Sequence, residues 1–249
     1  MNNVLLSLEN VSKSFKTKNN TTNVIDNISF DINKGDFIAI VGTSGCGKTT
    51  LLNIISDLDK SYYGNIKYNF NKYDIAYMMQ DAALFPWLTI KDNAKLITKI
   101  KKINNDDYIN TLIKRYDLDE FINVYPSSLS GGMKQRVSLI RTIASKPVLL
   151  LLDEPFAQLD YQTRLKISND VFDLSKENNI TVIMITHDIS EAISLADKVI
   201  VLSKRPSRIK NVYKINIDGI SNPILRRHNP KFNEYYKLIS EDLDILNEQ

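Results

Sequence analysis

The sequence has little of what marks secreted or membrane-spanning proteins. Its 249 residues include a single cysteine, so no disulfide can form within the chain, which suits a reducing cytosol. No apolar run approaches the roughly 18–20 residues that a bilayer-spanning helix needs. The N-terminal residues lack the basic start and long apolar stretch of a signal peptide. We therefore expect that, if the protein works at a membrane, other subunits cross it.

The charge balance does not single out a partner either. The formal net charge is +3 at pH 7, which does not by itself indicate nucleic-acid binding. Basic residues do gather in the last fifth of the chain, namely Lys204, Arg205, Arg208, Lys210, Arg226, Arg227 and His228. They form either an ordinary solvated surface or a contact with anionic lipid headgroups.

A glycine-rich segment carries the first chemical signal. It matches the pattern G-x-x-x-x-G-K-[ST] and comprises Gly42, Thr43, Ser44, Gly45, Cys46, Gly47, Lys48 and Thr49. Residues 37–41 before it read as a buried strand, and a helix is predicted from Thr50. A strand, a glycine turn and a helix N-terminus direct backbone N–H groups at one point, which suits a nucleotide polyphosphate. Lys48 would reach the β- and γ-phosphates, and the Thr49 hydroxyl would hold Mg²⁺. The alternative is a turn that matches by chance.

The order of predicted elements indicates a mixed α/β chain. Strands are predicted at 4–8, 24–30, 37–41, 66–70, 75–78, 148–152, 180–185 and 199–203. Residues 91–144 are predicted to be mainly helical, with further helices at about 161–176, 190–195 and 232–246. The continuous apolar runs favour parallel strands buried on both faces. No internal repeat is present, which indicates one nucleotide-binding unit in the chain.

A pair of acids follows one of these apolar runs. Asp153 and Glu154 come at the end of the predicted strand 148–152. Asp153 is placed to complete a Mg²⁺ site with Thr49, and Glu154 to polarise a water for attack on the γ-phosphate. The alternative is two surface acids that begin a loop, with Pro155 ending the strand.

A second candidate phosphate site lies at Ser130, Gly131 and Gly132. Ser130 suits a helix N-cap, and the two glycines would let the backbone approach a ligand closely. The helix that follows would offer another N-terminus to an anion. Two phosphate sites in one small domain are redundant unless the second serves a nucleotide that another molecule holds.

In this order the motifs resemble those of ATP-binding cassette (ABC) ATPases over roughly residues 4–205. Residues 129–132 resemble the family signature, and Asp160 falls in a stretch that resembles the D-loop. Gln80 is similar to the Q-loop glutamine and His187 to the switch histidine. Phe15 is similar to the aromatic residue that stacks on adenine. An ordinary loop glutamine and a structural histidine are the alternatives for Gln80 and His187.

The resemblance implies a fold and an assembly. The α/β fold would be a P-loop NTPase cassette with a RecA-like core, an N-terminal antiparallel β-subdomain and an inserted helical subdomain. One ATP-binding domain would span 1–249, with the helical subdomain at about 91–145 and a C-terminal tail at about 205–249. Two cassettes would form a head-to-tail homodimer around two ATP. Each ATP would lie between the phosphate loop of one chain and the signature helix of the other.

The resemblance also implies roles for residues, with ATP and Mg²⁺ as cofactors. The implied catalytic residues are Lys48, Gln80, Glu154 and His187, and the implied Mg²⁺ ligands are Thr49, Gln80 and Asp153. The implied ATP-binding residues are Phe15, Gly42, Thr43, Ser44, Gly45, Cys46, Gly47, Lys48, Thr49, Thr50, Ser130, Gly131, Gly132 and Asp160.

Three residues depart from the family pattern. Met133 replaces a commoner glutamine but lies after the residues that would touch phosphate, and Phe15 replaces a commoner tyrosine while preserving stacking. Neither change is expected to cost activity. Gln158 occupies a D-loop position that is often small, which bears on coupling across the dimer.

Softer residues indicate a subfamily. Residues 79–90, Met133, Phe156 and residues 205–209 resemble importer ATPases of the nitrate, sulfonate and taurine type, and some importers of thiamine precursors and other heterocycles are similar here. The chain would then serve two transmembrane permease subunits at the cytoplasmic face of the cell membrane. An extracytoplasmic solute-binding protein would take part indirectly, nucleic acid would not, and the partners would select the solute.

Two other classes of ABC ATPase are the alternatives. An exporter ATPase is disfavoured only by the aromatic stretch at 85–88. Soluble ATPases of DNA repair and chromosome structure carry long coiled coils between the phosphate loop and the signature, and no sustained heptads occur here. Ribosome-acting relatives usually hold two cassettes in one chain, whereas this chain holds one set of motifs.

The sequence also predicts the surroundings of two further side chains. Trp87, the only tryptophan, lies in the stretch 85–88, which either packs inside the domain or forms a docking groove for a partner helix. We favour docking. Cys46 is interpreted as a small filler without a catalytic role. Its place beside a helix N-terminus and Lys48 also predicts a lowered thiol pKa and a modifiable sulfur that MgATP shields.

Overall fold

The computed structural model describes residues 3–17, 20–217 and 222–244 of the chain. Its strands are β1 (Val4–Lys16), β2 (Thr21–Asn33), β3 (Phe37–Gly42), β4 (Tyr63–Tyr68), β5 (Ile75–Met78), β6 (Leu149–Asp153), β7 (Thr181–Ile185), β8 (Lys198–Leu202) and β9 (Ile209–Lys214). Its α-helices are α1 (Lys48–Ile55), α2 (Ile90–Lys101), α3 (Asp106–Arg115), α4 (Gly131–Ile143), α5 (Tyr161–Glu177), α6 (Ile189–Leu195), α7 (Pro223–Arg226) and α8 (Pro230–Asp242).

A six-stranded sheet forms the centre of the fold, in the order β5-β6-β7-β3-β8-β9. The strands from β5 to β8 in this order are parallel, and β9 is antiparallel. Both faces of β3 are buried, since Phe37 and Ala39 pack into one hydrophobic core and Ile38 and Ile40 into the other. Burial on two faces accounts for the unbroken apolar runs, and the predicted parallel strands are confirmed. The loops that follow parallel strands open at one edge of the sheet.

A second, antiparallel sheet in the order β2-β1-β4 lies at the N-terminal side of the chain, as predicted. Leu6, Leu8 and Val11 of β1 are buried in the core that also contains Ile38 and Ile40. β1 and β2 extend well beyond the predicted strands 4–8 and 24–30, because pairing continues through mostly polar residues that form no continuous apolar run.

Residues 91–144 are mainly helical, as predicted, and contain α3 and most of α2 and α4. Apolar residues such as Ala94, Ile109 and Leu112 attach these helices to the larger core on the other face of the sheet. The proposed boundaries of the helical subdomain and of the tail stay predictions. In the described ranges, no helix has the length and apolar character that crossing a bilayer requires.

Other elements also differ from the sequence prediction. β9 is not predicted, because its side chains are mostly exposed and leave no apolar run. β4 lies nearer the N-terminus than the predicted 66–70. α8 begins at Pro230, which has the fixed φ and missing N–H that suit a first helical position, and Asn229 caps it. The end of the predicted helix 232–246 lies outside the described residues.

Candidate functional site

The phosphate loop joins β3 to α1, which begins at Lys48 rather than at the predicted Thr50. Gly45 and Gly47 have φ values of 72° and 114°, which only glycine adopts readily. A Cβ on Gly47 would also lie 2.8 Å from Cγ1 of Val24 in β2. The Lys48 ammonium donates to the carbonyls of Gly42 at 2.8 Å and Thr43 at 3.1 Å. The ammonium and the helix N-terminus therefore sit in one concave loop, which suits an anion.

This loop forms the floor of a cleft of 720 Å³. The cleft is lined by Phe15, Thr22, Val24, Ser44, Gly45, Gly47, Lys48, Thr49, Thr50, Gln80, Glu154, His187 and Arg205. A cleft of this size accommodates a nucleotide. Phe15 lines this cleft and is 46% exposed, and the Lys13 ammonium lies 4.7 Å from its ring centroid; its stacking on a base stays a prediction. The structure thus brings together most of the residues predicted to bind ATP or to catalyse its hydrolysis.

Gln80 and His187 converge on the Glu154 carboxylate. Gln80 Nε2 donates to Glu154 Oε2 at 3.3 Å, and His187 Nδ1 lies 3.4 Å from the same oxygen. The Glu154 backbone has φ 47°, a sparsely populated conformation, and its N–H donates to the Ile185 carbonyl at 3.0 Å. These contacts aim the carboxylate into the cleft, where it could polarise a water.

Asp153 lies one residue earlier and is buried at the end of β6. Burial raises the pKa of its carboxyl, and the Glu154 charge adds to this rise, while a hydrogen bond with Thr49 opposes it. Thr49, Gln80 and Asp153 all line one cavity of 510 Å³. Hydroxyl, amide and carboxylate oxygens are the donors that Mg²⁺ prefers, usually together with substrate phosphates, so these residues fit that ion. Among the described residues, no group of three or more His, Cys, Asp or Glu side chains could hold a metal.

Sequence reasoning missed the residues that hold the His187 turn. Thr186 Oγ1 donates to Oε2 of buried Glu191 at 2.7 Å and accepts from the Asp188 N–H at 3.0 Å. Asp188 caps α6 through the N–H groups of its first turn. Burial raises the pKa of the Glu191 carboxyl. The polar residues around His187 are visible in the sequence, but their mutual contacts are not.

The signature segment lies outside this cleft. Ser130 caps α4, as predicted, and accepts from the Met133 N–H at 3.3 Å. A Cβ on Gly131 would lie 2.7 Å from Gln158 Oε1, and one on Gly132 would lie 3.2 Å from the Gln158 carbonyl oxygen. Within one chain the lack of side chains on the two glycines therefore leaves room for the segment around Gln158, a role that the sequence did not reveal.

Gln135 is a second residue that sequence reasoning missed. Its side chain is buried; Nε2 donates to the Glu154 carbonyl at 3.1 Å, and Oε1 accepts from the Gln158 N–H at 3.2 Å. Gln135 therefore links α4, which begins at the signature, to both ends of the turn after Glu154. Ser138 and Thr142 of the same helix are also polar and buried, so the sequence offers no signal that singles out Gln135.

Asp160 is also outside the cleft. Its carboxylate caps α5 and accepts from the Thr163 N–H at 3.0 Å. Hydrogen bonds with Thr163 lower the pKa of this carboxyl. In the single chain Asp160 orients a helix, and its predicted contact with ATP stays a prediction about the dimer.

The expectation of a lowered Cys46 pKa is wrong. The side chain is 1% exposed and belongs to the core beneath the loop, and a Cβ on Gly42 would lie 2.8 Å from its sulfur. Burial raises the pKa of the thiol, and the opposing effect of Lys48 is smaller. Because the sulfur points into the protein, the filler interpretation holds and the predicted shielding by MgATP loses its basis.

Trp87 does not pack inside the domain. Its side chain is 68% exposed, and its ring centroid lies 5.2 Å from that of Phe85. Asn93 in α2 is fully buried and holds the loop that precedes this helix. Its Nδ2 donates to the carbonyls of Phe85 and Leu88, each at 3.1 Å, and its Oδ1 accepts from the Phe85 N–H at 2.8 Å. Phe85 also lines a groove of 340 Å³ with Leu96 and other residues. The loop thus presents two aromatic rings on a firm backbone.

Four of the basic residues near the C-terminus have separate partners within the protein. Arg208 pairs with Asp26 at 2.5 Å, and Lys210 donates to the Asp242 carbonyl at 2.5 Å. Arg226 and Arg227 bond to the end of α6 through the Ser194 carbonyl and hydroxyl, respectively. These contacts tie much of the cluster to the protein, which favours the solvated-surface interpretation over a lipid contact.

Known proteins resemble this chain in sequence and in fold. The profile of the ABC transporter family matches residues 25–157. An uncharacterized ABC transporter ATP-binding protein, YtlC of Bacillus subtilis (strain 168), is 37% identical over 98% of this chain and 97% of its own length. The aliphatic sulfonates import ATP-binding protein SsuB of Bacillus cereus (strain ATCC 10987 / NRS 248) is 36% identical over 85% of this chain and 86% of its own length.

A solved structure extends the likeness to the fold. The ATP-binding cassette MJ0796, determined as a dimer in a post-hydrolysis state bound to ADP and Pi, matches with a TM-score of 0.77 and 30% identity. The match covers 85% of this chain and 99% of that one. The cassette fold expected from the motifs is therefore confirmed.

The position of Cys46 leads to a labelling prediction. We expect the native chain to react slowly with a thiol reagent such as DTNB both with and without MgATP, because the fold covers the sulfur. Unfolding in urea should raise the labelling rate by about tenfold or more, as exposure restores an ordinary thiol. The Cys46→Ser chain serves as the unlabelled control. Fast labelling of the folded, nucleotide-free chain that MgATP then blocks would place the sulfur in the cleft and contradict the structure.

Proposed function

This chain belongs to the ABC transporter family as one of its ATPases, and we propose that it powers import of a small solute through two membrane permease subunits. The observation that carries the ATPase part is the convergence of Gln80 and His187 on Glu154 at a cleft floored by the phosphate loop. The import direction is supported by the likeness to an aliphatic sulfonates import protein. The solute, whether a sulfonate or another small molecule, would be selected by the permease and an extracytoplasmic solute-binding protein.

In the proposed reaction this chain binds the nucleotide, orients its phosphates and activates the attacking water. The loop N–H groups and Lys48 hold the phosphates, and Phe15 stacks on the base. Glu154 accepts a proton from the attacking water, while Gln80 and His187 hold its carboxylate in place. Thr49 and Asp153, with Gln80, would hold Mg²⁺, which neutralises phosphate charge when bound.

The proposed working unit is a head-to-tail homodimer. Ser130, Gly131 and Gly132 present a helix N-terminus that the cleft of their own chain does not use. A partner's ATP would give this terminus its ligand, and the dimeric MJ0796 cassette supports such pairing. Closure around two ATP and reopening after hydrolysis would then drive the permease.

The proposed permease contact is the loop that carries Phe85 and Trp87, with the adjoining groove. Exposed aromatic rings on a fixed backbone beside an apolar groove suit a helix from a membrane subunit. Through this contact the cassette would sit peripherally at the cytoplasmic face of the membrane.

Glu154→Gln tests the proposed hydrolysis. The amide keeps the shape but cannot accept the proton, so we expect phosphate release to fall by about two orders of magnitude or more while MgATP still binds. Because ATP persists, the variant should elute as a dimer with MgATP in gel filtration. Glu120→Gln, on an exposed turn, is the matched control. Hydrolysis near the wild-type rate by the Glu154 variant would remove this residue from the mechanism.

Mixing two inactive chains tests the head-to-tail arrangement. Lys48→Ala disables the phosphate loop and Ser130→Arg disables the signature, so each homodimer should be inactive. A heterodimer regains one intact site, and we expect the mixture to recover ATPase activity. The Lys48→Ala chain mixed with itself is the control. If both chains fold and pair but no activity returns, the signature does not act across the dimer.

Trp87→Ala tests the docking loop. We expect ATP affinity to be nearly unchanged, whereas retention of the chain on the immobilised permease subunits should fall by roughly tenfold or more, as for a central interface aromatic. Tyr63→Ala, which removes an equally exposed ring on β4, is the control. A large loss of thermal stability in the isolated Trp87 variant would instead favour packing within the domain.

A further inference from the structure

Residues 203–208, which overlap the subfamily stretch 205–209, help to build the wall of the nucleotide cleft. Ser207 is fully buried and fastens this segment to β2. Its N–H and Oγ donate to the Val24 carbonyl at 2.8 and 3.1 Å, and its carbonyl accepts from the Asp26 N–H at 2.9 Å. The ion pair between Arg208 and Asp26 adds a second attachment. The segment is therefore held in one position against β2.

The same part of β2 touches the phosphate loop. Val24, which accepts the hydrogen bonds from Ser207, is the residue that a Cβ on Gly47 would meet at 2.8 Å. The segment, β2 and the loop thus pack as one unit. The distance between residues 203–208 and a nucleotide on the loop is consequently set by the fold.

Arg205 is the residue of this segment that lines the cleft, where it shares a wall with Phe15, Thr22 and Val24. Its side chain is exposed and makes no hydrogen bond or ion pair within the described ranges, whereas Arg208 is committed to Asp26. Phe15 and Thr22 are paired across β1 and β2, on the part of the cleft where the base would stack. Arg205 therefore offers a free cation beside the predicted base platform.

We propose that Arg205 binds the base and ribose of the nucleotide. A guanidinium is planar and carries five N–H donors, so it can stack on a purine or donate to ring nitrogens and ribose oxygens. The inference rests on the proposed binding of ATP in this cleft. It adds a contact at the nucleoside end that the phosphate loop cannot supply.

Calorimetric titration of the full chain tests the assignment, with MgATP and magnesium tripolyphosphate as separate ligands. Arg205→Ala should weaken MgATP binding by about three- to tenfold, the loss expected of one or two hydrogen bonds to an exposed cation. Tripolyphosphate binding should stay at the wild-type value, because this ligand has no base or ribose. Lys204→Ala removes a neighbouring exposed charge outside the cleft and should change neither affinity. Arg205→Lys, which keeps the charge but not the planar fork, should fall between wild type and Arg205→Ala.

Two outcomes would overturn the proposal. Wild-type MgATP affinity in Arg205→Ala would show that this side chain does not contact the nucleotide. An equal loss for tripolyphosphate would move the contact to the phosphates. In the described ranges this side chain makes no hydrogen bond or ion pair that the substitution removes, and a thermal melt checks that the variant folds. Failure of the wild-type chain to bind MgATP would count against the proposed function instead.

Discussion

Parallel pairing of β5, β6, β7, β3 and β8 is the constraint on which the candidate site depends. Strands that run in one direction release their following segments at one edge of the sheet. The phosphate loop follows β3, Gln80 follows β5 and Glu154 follows β6, while His187 and Arg205 follow β7 and β8. Residues far apart in the chain therefore meet in one cleft, because backbone hydrogen bonding between the strands fixes where their ends lie. The antiparallel sheet then adds Phe15 from outside this arrangement.

Buried polar side chains hold the turns that leave this edge. Gln135 forms hydrogen bonds with the Glu154 carbonyl and the Gln158 N–H. Asn93 accepts a hydrogen bond from the Phe85 N–H, and Thr186 donates one to Glu191 and so holds the His187 turn. A buried backbone group left without a partner costs about 1–3 kcal/mol, so each of these residues stabilises one loop conformation. Through Gln135 the signature helix and the Glu154 turn are also in direct contact. Changes at one motif can therefore reach the other within the same chain.

The predictions that held concern residues whose chemistry is local. A phosphate loop needs closely spaced glycines, a lysine and a hydroxyl between a strand and a helix, and Ser130 needs only the helix after it to act as a cap. The predictions that failed or stayed untested depend on the direction in which a side chain points. Cys46 lies in the loop by sequence, yet its sulfur faces the core, and Asp160 bonds to its own helix rather than lining the cleft.

The sequence by itself determined the fold class, the order along the chain of every strand except β9, and the motifs that could bind a nucleotide. These properties are carried by apolar runs and by short contiguous patterns, which a linear reading preserves. Only the tertiary structure decided that Gly131 and Gly132 admit Gln158, that Gln135 joins two motifs, and that Arg205 reaches the cleft. Each of these facts depends on side-chain direction and on contacts between distant segments. Residue periodicity does not encode them, because they arise only when the sheets pack.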